Sequence, residues 1–396
     1  MHLSWIVFFT DADRFDPMPI RASSPTHRAV FRCWLAALLI TAPLFLAGCE
    51  ESDSSPANQP EGLHYAYVSN GQGHSISIID LKSMHVLREL RVGRSPTGVS
   101  ACPQSRYVFV VNTDSNSVSV IDSSTQQIAR TIPVHSKPFF IAFSPDGKKA
   151  FVPNSLSNDV SVIDVSKLRV EADVRVCNAP TQAVISGDGA TLYVGCSSGG
   201  QVAVVSTADL KLQAMIPGMS HPVSLALLPD NSKLFVSSPD TGQVTVIDAI
   251  KKTRIATLLT GKAPVFLRLK PDGGELFVSD FENDTVSIIN TAANEISATI
   301  PVGKNPNQTV VTSDNSRLFV ANYGSNSVLA FNVDERTVLN SIPVGSGPDA
   351  LALTPGERYL LVVNSKSNDI SVIDAATYQV FTVLPVGSSP RAITVQ

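Results

Sequence analysis

Short apolar segments recur along this chain at a fixed spacing. Each ends in four residues of similar form, an aromatic residue or leucine, then valine, then two further residues. Successive tetrads begin 42 residues apart without any insertion. The eight tetrads occupy residues 67–70, 109–112, 151–154, 193–196, 235–238, 277–280, 319–322 and 361–364. A repeat of this length and regularity predicts a repeat protein built from one supersecondary unit.

Two other columns follow the same spacing. A proline precedes the first apolar segment of each unit: Pro96, Pro138, Pro180, Pro222, Pro264, Pro306, Pro348 and Pro390. A polar residue ends the third segment of each unit: Asp80, Asp122, Asp164, Ser206, Asp248, Asn290, Asn332 and Asp374. Three columns with a member in every unit exclude a chance repeat.

The pattern of residues in each unit predicts four β-strands. In the unit that begins at Pro138, short apolar or alternating segments cover residues 139–143, 149–152, 160–164 and 168–176. Turn-forming residues separate them, and alternation of apolar and polar positions is typical of half-buried strands. We therefore predict an all-β fold, a β-propeller of four-stranded blades.

The phase of the repeat decides how the ring closes. The domain, residues 64–396, opens on a second strand and ends on a lone first strand over residues 391–396. We expect this C-terminal strand to complete the first blade, which gives eight blades. Seven blades with one unit outside the ring is the alternative, and it would leave an apolar blade face in water.

The repeat resembles that of the YVTN-repeat β-propeller family. The resemblance rests on Ser-Pro-Asp-Gly-Lys-Lys at 144–149, Asn-Asp-Val-Ser-Val-Ile-Asp at 158–164, and Ile-Pro-Val-Gly at 300–303 and 342–345. It covers residues 64–396 and implies a surface, secreted or periplasmic propeller, in a family whose members mostly lack a defined activity. Related propellers include lactonases and the haem-binding propeller of bacterial nitrite reductases. A shared fold does not give a function.

The N-terminus resembles a bacterial lipoprotein leader. Arginines at 21, 28 and 32 precede an apolar run at 34–46, and Leu-Ala-Gly-Cys follows at 46–49. We predict a signal peptide over 1–48, with Met18 as an alternative start, and lipidation of Cys49. Residues 49–63 are acidic and rich in serine and proline, which predicts a flexible tether. An ordinary signal peptide with a chance cysteine is the alternative. Glu50 favours the outer membrane, facing the periplasm or the surface.

Composition excludes one class of partner. Charged residues make up 16 %, and the chain carries a net charge of −4. Without residues 1–49 it has 30 − 4 = 26 basic and 34 − 3 = 31 acidic residues. No basic excess or run remains, so we expect no nucleic-acid partner.

Three successive units replace a recurring glycine with a possible metal ligand. The glycine of the Pro-Val-Gly loops gives way to His135, Cys177 and Met219, and His221 follows. Histidine, cysteine and methionine together suit copper or haem iron. The competing interpretation is that these are structural loop residues. Cys177 and Cys196 flank two strands of one unit, so a disulfide and two free thiols are further alternatives.

Charged loop residues suggest a site near the central channel. Asp280, Glu282, Asp349 and Arg391 fall at the ends of strands that face the predicted top of the ring. They suit either a polar ligand or a divalent cation such as calcium. Solvated loop charges are the alternative.

These patterns favour a binding or scaffold module over an enzyme. We expect a monomer, anchored to the membrane by lipid, with a protein, glycan or small ligand on its top face and no cofactor. The alternatives are a lactonase-type metal-dependent hydrolase and a redox accessory protein that holds haem or copper.

Overall fold

The computed structural model describes residues 65–396. They form 32 strands in eight antiparallel sheets of four, with short 3-10 turns at Thr113–Ser115, Pro239–Thr241 and Pro355–Glu357. No helix in this part of the chain is long and apolar enough to cross a membrane. The leader over 1–48, Cys49 and the tether over 49–63 lie outside the described residues.

Each sheet is one blade, and its strands are named here by their position in the 42-residue unit. The first strands are β4 (Pro96–Ala101), β8 (Ala142–Phe143), β12 (Pro180–Ile185), β16 (Leu225–Leu227), β20 (Pro264–Leu269), β24 (Pro306–Val311), β28 (Pro348–Leu353) and β32 (Pro390–Val395). The second strands are β1 (Tyr65–Asn70), β5 (Tyr107–Asn112), β9 (Lys149–Asn154), β13 (Thr191–Cys196), β17 (Lys233–Ser238), β21 (Glu275–Asp280), β25 (Arg317–Asn322) and β29 (Tyr359–Asn364).

The outer half of each blade follows the same order. The third strands are β2 (Ser75–Asp80), β6 (Ser117–Asp122), β10 (Asp159–Asp164), β14 (Gln201–Ser206), β18 (Gln243–Asp248), β22 (Thr285–Asn290), β26 (Ser327–Asn332) and β30 (Asp369–Asp374). The fourth strands are β3 (His85–Arg91), β7 (Gln127–Pro133), β11 (Arg169–Arg175), β15 (Leu212–Pro217), β19 (Thr253–Leu259), β23 (Glu295–Pro301), β27 (Thr337–Pro343) and β31 (Gln379–Pro385).

Blade 1 is closed by the two ends of the domain. β32 pairs with β1, and the register sets Val68 opposite Ile393 and Tyr67 opposite Thr394. The amide of Tyr65 donates to the carbonyl of Gln396, and the amide of Gln396 donates back, both at 3.0 Å. The prediction of eight blades with a C-terminal closing strand is confirmed.

The core lies between blades. The second strands are buried along almost their whole length, whereas the fourth strands are largely exposed. One apolar cluster joins Val160 and Val162 of blade 3 to Leu192 and Val205 of blade 4. Since each blade buries both flat sides against its neighbours, second and third strands are apolar on both faces.

The first strands surround the axis of the ring. Contacts join β32 to β4, β12 to both β8 and β16, β20 to both β16 and β24, and β28 to both β24 and β32. The loops that follow the second and fourth strands share one face, here called the top face. Amides such as that of Thr113 donate to carbonyls such as that of Ser95, at 3.1 Å, across these loops.

Two first strands are shorter than the sequence predicts. Residues 139–143 were expected to form a strand, but β8 covers only Ala142–Phe143. The hydroxyl of Thr113 donates to the carbonyl of Pro138 at 2.7 Å, and that of Thr97 to Phe139 at 3.4 Å. In the same way Thr181 donates to Pro222 ahead of the short β16. Hydroxyls of the preceding blade therefore bond to carbonyls just ahead of both short strands.

Recurring asparagines of the repeat fix the top loops. Asn158 has a φ of 62°, a left-handed conformation that asparagine tolerates, and its Oδ1 accepts the amide of Ala179 at 3.0 Å. The same position and bond recur at Asn116, Asp284, Asn326 and Asn368. In these five blades the motif thus ties the top loop to the loop that leads into the next blade.

Candidate binding site at the channel mouth

Three polar side chains stand side by side on the inner wall of blades 7, 8 and 1. Asn307, Asp349 and Arg391 each follow the proline that opens a first strand, and they are 42 residues apart. The equivalent residues of blades 2 to 6 are uncharged: Thr97, Phe139, Thr181, Val223 and Val265. We call Asn307, Asp349 and Arg391 the channel mouth, because first strands surround the axis and these residues lie at their top ends.

Asp349 is the centre of this group. Its side chain is 6 % exposed, and its Oδ1 accepts a hydrogen bond from Nδ2 of Asn307 at 2.6 Å. Its Oδ2 lies 3.7 Å from Nη1 of Arg391, and within residues 65–396 it has no hydrogen-bond partner. Burial raises the pKa of Asp349 to about 6, although Arg391 and Asn307 oppose this effect. One carboxylate oxygen is therefore enclosed and free to accept.

An aromatic and basic group lies beside the channel mouth. Nζ of Lys366 is 4.3 Å from the ring centroid of Tyr323, and that ring is 6.5 Å from the ring of Phe281. The charge of Lys366 also favours ionised Asp349. The hydroxyl of Tyr323 is buried and has no hydrogen-bond partner within the described part of the chain.

A second cation lies further along the inner wall. Nε of Arg268, on β20, donates to the carbonyl of Thr309 on β24 at 3.1 Å. Its guanidinium stacks 5.5 Å from the ring centroid of Phe266. Surrounding strands lower its pKa by desolvation, while its side chain keeps partial contact with solvent. The channel wall therefore contains two arginines of blades 6 and 1 and the enclosed acid of blade 8.

The four residues predicted for the channel separate into two groups. Asp349 and Arg391 come together, as described. Asp280 instead replaces the tetrad asparagine of blade 6, is fully buried, and accepts from Oγ of Ser287 at 2.7 Å. Burial raises its pKa. Glu282 is exposed on the loop beyond, so the structure does not bring these two acids to the channel mouth.

The four residues predicted as metal ligands do not form one site. Cys177 and Cys196 are joined by a disulfide bond across a Cα–Cα distance of 5.8 Å, so Cys177 is not a ligand in this state. Met219 packs against the apolar cluster between blades 4 and 5. His221 contacts Asp240, and His135 contacts Asp159, each within its own pair of loops.

The recurring acids at the ends of third strands have a structural role. Asp80 and Asp374 accept backbone amides two and three residues ahead, which closes the bottom turn of the blade. These bonds lower the pKa of each carboxyl against the opposing effect of burial. Turn acids of this kind are held in place by their own loops.

Two surface depressions lie on the other face. One of about 630 Å³ is bordered by residues 101–106 and by the end of β32, and one of about 430 Å³ by residues 353–357. The arginine in the larger depression, Arg106, is paired with Asp122 at 2.8 Å. We favour the channel mouth because its enclosed acceptor is a carboxylate beside Arg391 and Lys366. The acceptor enclosed at the larger depression is the amide oxygen of Gln396.

Sequence reasoning missed several of these residues. Asn307 lies one repeat before Asp349, so the 42-residue spacing that paired Asp349 with Arg391 also identifies it. Tyr323 and Lys366 carried no comparable signal, because their contact depends on the curvature of two neighbouring loops. Asp159 and Asp173 were missed as neighbours of His135 because most residues in their columns of the repeat are polar, so an acid there does not stand out.

Comparisons with known proteins agree with the architecture. The sequence profile of the YNCE-like beta-propeller family matches residues 101–396. No curated protein matches the chain. Similar solved structures include Kuenenia stuttgartiensis hydrazine synthase, at 22 % identity and a TM-score of 0.60, covering 71 % of this chain and 96 % of that one.

Two further structures share the fold. Dihydro-heme d1 dehydrogenase NirN, in complex with DHE, has 14 % identity and a TM-score of 0.74, with coverage of 86 % of this chain and 77 % of that one. A functionally unknown protein from Desulfotomaculum acetoxidans DSM 771 has 17 % identity and a TM-score of 0.61, with coverage of 74 % and 99 %. At these identities the likeness concerns the fold alone. With three quarters of its length matched by the family profile, the chain belongs to the YNCE-like β-propeller family.

Proposed function

We propose that this protein is a lipid-anchored, extracytoplasmic binding module that takes a small zwitterionic ligand at the channel mouth. The observation that carries the proposal is the enclosed carboxylate of Asp349, whose Oδ2 lacks a hydrogen-bond partner within residues 65–396. A buried acid with a raised pKa destabilises the fold when it is ionised, and such groups cluster at functional sites.

The ligand class follows from the charges. An ammonium or amide group would donate to Oδ2 of Asp349, and a carboxylate or phosphate would face Arg391 and Lys366. The ring of Tyr323 offers an apolar face beside these groups. Binding sites commonly combine a few placed polar groups with aromatic surface in this way.

Native mass spectrometry tests the proposal. The protein is isolated from its own envelope in mild detergent, as wild type and as Asp349→Asn and Arg391→Ala variants, with Asp240→Asn as a control on the top face. We expect a bound small molecule on wild type and on the control, and its loss from both channel variants. Wild type without a bound mass, or equal retention by all variants, contradicts the proposal.

A carboxylate-bearing tetrapyrrole is the second candidate ligand. NirN, which shares the fold, is described in complex with DHE. Arg268, Arg391 and Lys366 would suit acidic substituents, and the buried hydroxyl of Tyr323 is of a type that ligates haem iron in some proteins. A Soret band from protein of its own host, lost in Tyr323→Phe, would favour this candidate over a zwitterion.

The hydrolase alternative receives no comparable support. The acids Asp280, Glu282 and Asp349 make separate contacts and do not converge as a cation site would require. Calcium-dependent hydrolysis of a lactone by the purified protein would restore it.

The membrane anchor is supported by the sequence at residues 46–49. Detergent phase partitioning of wild type and Cys49→Ser tests it. The wild type is expected in the detergent phase and the variant in the aqueous phase. Partitioning of both proteins into water contradicts the anchor.

A further inference from the structure

Blade 3 carries a histidine between two carboxylates, away from the channel mouth. His135 is in the loop from β7 to β8, Asp159 opens β10, and Asp173 is on β11. Nδ1 of His135 lies 2.6 Å from Oδ2 of Asp159, and its Nε2 lies 3.7 Å from Oδ2 of Asp173. One ligand atom from each residue lies within 4.8 Å of the other two. The two distances join the acids to opposite nitrogens of the ring, so an ion ligated by all three residues takes one of these nitrogens and replaces its contact with the acid.

A second layer of hydrogen bonds orients both carboxylates. Nδ2 of Asn154 donates to Oδ1 of Asp159 at 2.8 Å. Oγ of Ser161 donates to Oδ1 of Asp173 at 2.6 Å. Each acid thus uses one oxygen inside the blade and directs the other to His135. Outer hydrogen bonds of this kind hold metal ligands in place and tune them.

The combination occurs in one blade of the eight. The position of His135 is glycine in blades 1, 2, 6, 7 and 8: Gly387, Gly93, Gly261, Gly303 and Gly345. Blade 8 has the equivalent of Asp159 in Asp369, but faces it with Gly345. Blade 1 has an acid near the place of Asp173 in Glu89, but faces it with Gly387. The three residue types therefore vary separately in other blades and are combined in blade 3.

The local charge favours a cation. Two carboxylates meet one imidazole, and the nearest lysine of the same loop, Lys137, is occupied by Asp114 at 2.5 Å. The side chain of His135 is 48 % exposed, which leaves room for water to complete a coordination shell. Imidazole with carboxylates suits zinc and its first-row neighbours, whereas calcium takes six to eight oxygens.

We propose that His135, Asp159 and Asp173 form an open surface site for one divalent first-row transition ion, with Zn²⁺ as the probe. The site is independent of the channel mouth. A histidine nitrogen and one oxygen from each acid supply three ligands, and solvent or a group from a partner supplies the rest.

Zn²⁺ titration calorimetry on the tag-free, chelator-treated full chain tests this site. The variants are His135→Gly, which restores the residue of five other loops, and Asp173→Asn. The matched control is His221→Ala, because His221 faces only Asp240, at 2.5 Å. We expect one Zn²⁺ per chain, at least tenfold weaker binding in both site variants, and wild-type affinity in the control.

A second readout separates ligation from folding. Co²⁺ should give visible ligand-field bands with wild type and with His221→Ala, and the bands should be lost in His135→Gly while its melting temperature stays near that of wild type. Wild type without stoichiometric Zn²⁺, or equal affinity in wild type and His135→Gly, overturns the proposal. A loss in His221→Ala as large as in His135→Gly overturns it too.

Discussion

Blades 3 to 5 and blades 6 to 8 differ in how the loop that enters a blade packs against the tetrad residue of that blade. In the second group the loop that enters each blade carries a glycine beside the tetrad residue of that blade. A Cβ at Gly303 would lie 2.7 Å from Cβ of Asn322. In the first group a side chain replaces the glycine, and Cys196 and Ser238 replace the asparagine in blades 4 and 5. Loop and tetrad residues therefore change together in blades 4 and 5, whereas blade 3 keeps Asn154 beside His135.

The channel wall divides along nearly the same line. Thr97, Thr181 and Val223 on one side present neutral side chains, and the first strands β8 and β16 are short there. On the other side the strands run for six residues and carry Asp349 and Arg391. The repeat looks uniform in sequence, but its two sides differ. One side contains the disulfide bond, and the other contains the charged residues Asp349 and Arg391.

Removal of the closing strand should have the largest effect on this comparison. Deletion of residues 390–396 strips blade 1 of its inner strand and exposes the buried edge of β1. We expect loss of cooperative unfolding, measured by calorimetry. Arg391→Ala keeps the strand and should unfold cooperatively. A melting temperature unchanged by the deletion would show that the ring does not depend on its closure.

Loss of the disulfide should have the second largest effect. The bond closes a segment of 19 residues, and a loop of this length stabilises a fold by about 3 kcal/mol through the unfolded chain. The double variant Cys177→Met/Cys196→Ser copies the uncrosslinked pair Met219 and Ser238 of blade 5. Urea unfolding should show the loss, and a reducing agent should shift wild type only. A shift of equal size in both proteins contradicts this assignment.

Substitution of the loop glycine alone, in a blade of the second group, should destabilise the protein. We expect Gly303→Ala to destabilise the protein by about 1–3 kcal/mol, as overpacking of a filled space does. The added Cβ meets Oγ of Ser325 and, at 2.7 Å, Asn322, so Asn322→Ser in the same chain should restore only the part of the loss that Asn322 causes. A double-mutant cycle in urea measures this coupling. If the two changes in the free energy of unfolding are strictly additive, the loop and tetrad residues are not coupled and the prediction is wrong.

The buried acid should give the smallest effect, with a definite pH dependence. The pKa of Asp349 in the fold is about 6, above the ordinary value of about 3.9. Between these values the folded chain binds more protons than the unfolded chain, so the stability of the fold decreases as pH rises through this window.

The substitution Asp349→Asn removes that decrease. At pH 8 we expect the ligand-free variant to melt a few degrees above wild type, a gain of about 1–2 kcal/mol that is limited because Arg391 and Lys366 lose their nearest acid. At pH 4 the two proteins should melt together. A variant less stable than wild type at pH 8 would mean that the pair with Arg391 outweighs the burial of the charge.

Much of the fold followed from counting along the sequence. Pro390 falls on the same column as Pro96, and that phase fixed the strand that closes blade 1. The short strands β8 and β16 did not follow, nor did the hydrogen bonds from Thr97 and Thr181 to carbonyls of the next blade just ahead of them. Contacts between blades cannot be predicted from the order of residues within one unit.

The candidate site was predictable only where it obeys the repeat. Asp349 and Arg391 are one repeat apart, so the sequence paired them, and the same spacing identifies Asn307. Asp280 was placed at the channel because its loop reaches the top face. The side chain instead turns between blades toward Gly261, as the tetrad asparagines do, and burial decides that direction.

The composite first blade has a consequence for synthesis. A ribosome makes β1 before all other strands of the domain and β32 after them, so the inner edge of β1 has no partner in its own sheet until β32 emerges. Exposed edges invite pairing with other chains. The edge of β1 therefore stays open to pairing with other chains until β32 is made. Pairing of β32 with β1 then closes both the blade and the ring.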